Sequence, residues 1–124
     1  MESGAITDDQ ISASSQYSAK HGWVRARLNI QTDSGGNGGW STRRNDANQW
    51  LQVDLRSITT VKGVATQGRV GSYRQWVTKY KLQYSDDGQT FNDYKEEGQT
   101  GAKVITAVTV QYSRIVDTRS ARAA

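Results

Sequence analysis

The chain has 124 residues, enough for one domain with a buried core, and its 35% hydrophobic content leans on four Trp and six Tyr for apolar area. Charged residues make up 23% and the net charge is +4, a mild basic excess that gives no reason to expect a nucleic-acid partner. With no cysteine, a disulfide framework and a Cys-based metal site are both excluded within the chain, and no apolar run approaches the ~20 residues that span a bilayer.

The opening MESGAITDDQ is polar and acidic, unlike a signal peptide. Trp23, in AKHGWVRARLN, lies where a loop enters a strand. QTDSGGNGG (31–39) carries too much Gly, Ser and Asn for a ladder and reads as a long loop, with Trp40 as its anchor. Asn45, Asp46, Asn48 and Gln49 are expected to hold the next turn and to contact no ligand. WLQVDL (50–55) then alternates large apolar residues with Gln52 and Asp54. VKGVATQG (61–68), WVTKYKLQYS (76–85) and KVITAVTVQYSRIV (103–116) are rich in residues that suit a pleated, half-buried surface. Between the first two sits GRVGSYRQ (68–75), and after the second SDDGQTF signals a hairpin through Asp87 and Gly88. No helix period stands out. Many short strands at this spacing predict an all-β, antiparallel sandwich or barrel.

Chemistry-bearing residues are few. His21 is the single histidine, with no cysteine and no regular acidic spacing beside it, so it reads as a surface residue rather than a metal ligand or the base of a triad. The neighbouring carboxylates Asp86 with Asp87 and Glu96 with Glu97 fall on turns, where high dielectric keeps carboxyl groups ordinary. The glycines of 35–39, 68 and 71 precede no helix that would bind phosphate. Trp50 and Trp76 each open an alternating strand and read as core. No enzyme and no cofactor is expected. Across 19–44 and 66–76, however, Lys20, Arg25, Arg27, Arg43, Arg44, Arg69 and Arg74 face one acid, Asp33. If those stretches share one end of the sandwich, that end is basic.

The succession MESGAITDDQISASSQY, ARLN, GGWSTRRNDANQWLQVDL, VATQGR and QWVTKYKLQYSDDGQTF resembles the discoidin domain, also called the coagulation factor V/VIII type C domain, over residues 1 to about 100. The resemblance implies a jelly-roll-like antiparallel β-sandwich or barrel of the galactose-binding-like type. It also implies an extracellular, non-enzymatic cell-adhesion or recognition module. Its partners would be a glycan or anionic cell-surface ligand, phospholipid head groups, or an extracellular protein receptor. The ligand end of such a domain is built from loops that correspond here to residues 16–22, 31–44 and 68–75. Lys20, Trp23, Arg43 and Arg44 on the first two, with Arg69, Val70, Tyr73 and Arg74 on the third, are the expected ligand-binding residues. Glycan is favoured over lipid because Val70 and Tyr73 are modest apolar spikes. A ligand-free scaffold is the rival reading.

The chain also departs from the family pattern. The usual cysteines before the ESG motif and at the end are missing, and Met1 stands where the family has an internal methionine. An amino-truncated chain with its signal peptide upstream is therefore expected. GAKVITAVTVQYSRIVDTRSARAA shows neither the family's Phe-x-Gly-Asn-x-Asp nor its Arg-x-Glu strand. The expected organisation is a truncated discoidin domain over 1–116, lacking complete closing strands, followed by a disordered tail over 117–124.

Overall fold

The computed structural model describes residues 5–61, 63–69, 73, 75–101, 104–106 and 118–121. Among these, seven short strands form three antiparallel sheets. Strand β1 (Ile11–Ala13) pairs with β2 (Leu51–Val53), placing Ile11 opposite Val53 and Ala13 opposite Leu51. The period-2 pattern of WLQVDL explains which face turns inward: Leu51 and Val53 are buried, and Gln52 between them is not. Ile11, Leu51 and Tyr80 make the centre of the core, backed by Trp23, Trp40 and Val77.

Two buried glutamines close the ends of the β1–β2 pair. Gln10 Nε2 donates to the Asp54 carbonyl at 2.6 Å while its Oε1 accepts the Thr7 N–H at 3.0 Å. At the other end, Gln49 Oε1 accepts the hydroxyls of Ser14 (2.9 Å) and Ser15 (2.6 Å), and Nε2 donates to Asp46 Oδ1 at 2.8 Å. Asp46 Oδ1 also accepts the Asn48 N–H at 2.9 Å. These bonds hold the Asp46 carboxyl below its ordinary pKa, the Gln49 amide first among them. The expectation that Asp46 and Gln49 knit the turn before β2 is met. Gln49→Ala leaves two half-buried hydroxyls without their acceptor, and a loss of about 1–3 kcal/mol is expected. A urea midpoint that drops at unchanged slope checks this.

Strand β3 (Trp76–Lys81) is the centre of a three-stranded sheet, flanked by β6 (Val104–Thr106) and β7 (Thr118–Ala121). A register shift between Val77 and Lys79 interrupts its pairing with β7. Strands β4 (Gln83–Tyr84) and β5 (Asn92–Asp93) form the hairpin signalled by Asp87 and Gly88. The connection is seven residues long rather than a two-residue turn. Asp87 Oδ1 organises it by accepting the N–H groups of Thr90 (2.7 Å) and Gln89 (2.8 Å), which push its pKa far down, and Gly88 supplies a φ of 71°.

Four sequence expectations change here. Residues 61–68, apart from Lys62, which lies outside the described residues, run without strand pairing: alternation gave them a strand's side chains, but no described backbone takes up their ladder. The stretch 76–85 is two strands, broken at Leu82, rather than one. Trp76 is 44% exposed and does not belong to the core; β3 turns Tyr80 inward instead. Thr118–Ala121, assigned to a disordered tail, is a strand on β3. Pairing there needs backbone groups on an open edge of β3, not an apolar pattern in the tail. Among the described residues the three sheets do not close into a barrel, as the departing carboxy-terminal sequence led us to expect.

Candidate functional site

The loops over 16–22 and 31–44 contain no strand and are shaped by side chains. The first includes a 3-10 turn, Ala19–His21, followed by a second, Trp23–Arg25. Arg25 leaves that second turn and reaches across the Gly-rich loop. Its Nε donates to the Asn37 carbonyl (2.8 Å), its Nη2 to the carbonyls of Gln31 (2.5 Å) and Gly36 (3.2 Å), and its Nη1 pairs with Asp33 (3.2 Å). A glycine is needed at 36, since a Cβ there would stand 2.8 Å from the Lys20 carbonyl oxygen. The loop is thus wound around a guanidinium. Arg25 counted among the basic residues of this end, but it works as an internal clamp.

Backbone bonds then join the first loop to the second: Asn37 N–H to Lys20 O at 2.8 Å, Tyr17 N–H to Ser41 O at 2.8 Å, and Ser41 N–H to His21 O at 3.3 Å. Ser15 Oγ accepts the Arg43 N–H at 3.1 Å, and the Trp40 indole donates to Ser15 O at 2.9 Å, which confirms Trp40 as an anchor. The third loop meets the second at Gly39, where a Cβ would touch the Arg69 backbone and side chain at 3.6 Å. Arg69 is fixed in turn by its own loop. Its N–H reaches Gln75 O at 2.8 Å, its Nη1 reaches Gln75 Oε1 at 2.8 Å, and its guanidinium lies 5.3 Å from the Tyr73 ring centre.

The structure therefore brings the three loops together. Lys20, Arg43 and Arg44 are exposed on the first two, Arg69 is half-buried between the second and third, and Tyr73 is 67% exposed. Trp23 is set apart from this group: it is half-buried and packs on the core cluster. Val70 and Arg74 lie outside the described residues. Arg27, also counted as part of the basic end, donates to Ile6 O at 2.8 Å and pairs with Asp8 at 2.5 Å. Gln67 and Asn37 use their side chains internally, Gln67 Oε1 accepting the Asn29 N–H at 2.9 Å and Asn37 Nδ2 meeting His21 Nε2 at 2.7 Å.

His21 is the residue that sequence reading placed least well. It is half-buried at the junction of the loops, with Ser18 Oγ 2.8 Å from Nδ1 and the Tyr17 ring edge-on at 5.2 Å. Burial first, and then the Arg69 guanidinium, lower its pKa from the ordinary imidazole value. No cysteine or acidic spacing marks such a role, because its partners are a serine and an asparagine far apart in the chain. Among the described residues, no group of three or more His, Cys, Asp or Glu side chains could hold a metal ion.

Comparison with solved structures shows that this antiparallel scaffold has the galactose-binding-like β-sandwich fold. The recombinant discoidin II of Dictyostelium discoideum superposes with a TM-score of 0.68 at 27% identity, over 90% of this chain and 46% of that one. Wild-type discoidin II from the same organism gives 0.59 at 26% identity, over 90% of this chain and 45% of that one. The F5/8 type C domain model matches residues 10–122, and the chain belongs to that family. It is 41% identical over 105 residues to retinoschisin of Mus musculus, covering 81% of this chain and 45% of that protein. It is 39% identical over 110 residues to coagulation factor V of Sus scrofa, covering 85% of this chain and 5% of that protein. The chain thus spans less than half the length of these relatives.

Proposed function

We propose that this chain is a non-enzymatic, extracellular recognition module that binds a glycan or anionic cell-surface ligand through the three joined loops. The observation that carries this reading is their convergence. Loops with no ladder of their own are held by backbone bonds and the Arg25 clamp, while Lys20, Arg43 and Arg44 remain exposed and Arg69 stands beside Tyr73. A guanidinium beside an aromatic ring suits a sugar bearing carboxylate or sulfate, since one supplies paired donors and the other a flat apolar face.

A second reading, binding to an anionic phospholipid surface, is favoured by the exposure of Tyr17 and Tyr73, each 67%. Aromatic tips among cations suit a membrane interface, where each cation contributes about 1 kcal/mol near anionic lipid. A heparin-derived oligosaccharide and phosphatidylserine vesicles, offered to the same preparation, separate the two. For either ligand, affinity falls as salt rises, because exposed charges are screened beyond roughly 8 Å at physiological ionic strength. Arg69→Ala is expected to weaken binding about tenfold or more, the size of a charge-assisted hydrogen bond. Arg43→Ala with Arg44→Ala should reduce it further while the circular dichroism spectrum holds. Binding that ignores both salt and these changes places the site elsewhere, and silence with both probes favours the scaffold.

A further inference from the structure

His21 bonds to two of the loops that the proposed function needs and lies within the electrostatic reach of the third. On its own turn, Ser18 Oγ lies 2.8 Å from Nδ1 and the Ser18 carbonyl accepts the His21 N–H at 2.9 Å. From the Gly-rich loop, Asn37 Nδ2 reaches Nε2 at 2.7 Å, and Ser41 donates its N–H to the His21 carbonyl. From the third loop comes the charge of Arg69. The other titratable neighbours are Lys20, next in sequence, and Tyr17, whose ring packs edge-on. Behind Asn37 stands the Arg25–Asp33 pair, engaged with its own loop. The charge that acts on the imidazole from the third loop, that of Arg69, is cationic.

This arrangement suits a neutral ring in one tautomer. Nε2 accepts from the Asn37 amide, which leaves the ring proton on Nδ1, donated to Ser18 Oγ. Protonation turns Nε2 into a donor and sets two N–H groups against each other at the 2.7 Å contact. It also places a second cation within the influence of Arg69. The contact must then break or the Asn37 amide turn over, and Asn37 is the residue whose backbone N–H ties its loop to Lys20.

We propose that His21 is the positioning residue of the binding end: neutral, it joins the loops over 16–22 and 31–44, and its protonation releases them. The consequence for ligand capture rests on the function proposed above, whereas the release itself does not. The direction follows from linkage. The unfolded or open chain takes up a proton near the ordinary imidazole value, and the closed junction, whose His21 pKa is lowered, takes it up only at more acid pH. Closure is therefore complete at neutral pH and weakens as pH falls from about 6.5 toward the lowered value, by up to about tenfold per pH unit.

Because His21 is the chain's one histidine, its ring resonance in a proton NMR titration needs no assignment among others. The expected result is a midpoint below the ordinary imidazole value. Protection of the Asn37 and Ser41 amides against hydrogen exchange, corrected for intrinsic rates, should fall at least severalfold between pH 7.5 and 5.0. Two variants sharpen the test. His21→Gln removes the titration and should make loop protection independent of pH. Asn37→Asp offers the imidazolium an acceptor and should raise the midpoint, so that acid strengthens the junction instead. A midpoint at or above the ordinary value, or wild-type loop protection unchanged over that range, overturns the proposal. These readouts need no ligand. Loss of heparin-oligosaccharide binding in step with loop protection ties the release to function, and loop release without any binding at neutral pH would count against the function alone.

Discussion

Leu51→Ala is expected to lower the unfolding free energy by about 2–5 kcal/mol. Leu51 is 3% exposed, stands opposite Ala13 on β1, and joins Ile11 and Tyr80 in the centre of the core. Removing its isobutyl group takes away transfer energy and leaves a void, and the neighbours have little freedom to collapse into it. Among the described residues strand β1 pairs only with β2. A domain of ordinary size is stable by only about 5–15 kcal/mol. This one has a small buried core, and its described strands do not close. The substitution should therefore leave a substantial unfolded population at physiological temperature, visible as a lowered thermal midpoint by circular dichroism. Ile58→Ala is the control: Ile58 is 93% exposed, and a change within about 0.5 kcal/mol is expected there. Equal effects at both positions would show that the core lies elsewhere.

The parts of the fold that were legible in the sequence are those where a local pattern determines a local outcome. Alternation in WLQVDL gave strand β2 with its inward face, and the Asp87 and Gly88 pair gave the β4–β5 hairpin, because turn chemistry and period act over a few residues. Alternation fails where a partner is required. VKGVATQG has the composition of a strand, but its described residues meet no ladder among the described ones, and Thr118–Ala121 lacks the composition yet pairs with β3. Trp76 shows a similar limit, since the choice between the two faces of β3 is made by what lies opposite.

For the candidate site, the loops themselves could be read, and their convergence came from the family resemblance. The division of labour among the cations could not. Arg25, Arg27 and Arg69 look alike in a count of charge, but one clamps a loop, one pairs with Asp8, and one is held half-exposed against Tyr73. Only distance separates a guanidinium that binds backbone carbonyls, as Arg25 does, from one set beside an aromatic ring, as Arg69 is. His21 is the same case with the opposite sign. Its isolation in the sequence suggested a bystander, while its uncharged partners, Ser18 and Asn37, make it a junction.

Arg25→Ala is expected to cost about 2–3 kcal/mol and, on the function proposed above, to remove ligand binding while the sheets persist. The energy follows from hydrogen bonds to a charged donor, worth about 1.5–3 kcal/mol each when lost in a shielded setting, reduced here because the freed carbonyls can turn to water. The Arg25 side chain is only 11% exposed; its bonds to the Gly36 and Asn37 carbonyls are partly buried, while those to Gln31 and Asp33 are open to solvent. The loop has no ladder and many glycines, and without the guanidinium it gains more conformational freedom than its remaining bonds can hold. Arg25→Lys should rescue little, because a single ammonium cannot span the same fork of acceptors. Asp33→Asn, which keeps the carbonyl bonds and loses only the exposed ion pair, should be mild. Hydrogen exchange distinguishes this from general unfolding: protection at Asn37 and Ser41 should vanish in Arg25→Ala while amides of the β1–β2 pair stay protected. If the loop amides keep their protection, the guanidinium is not the clamp, and the rigidity of the binding end comes from His21 and the backbone bonds between loops alone.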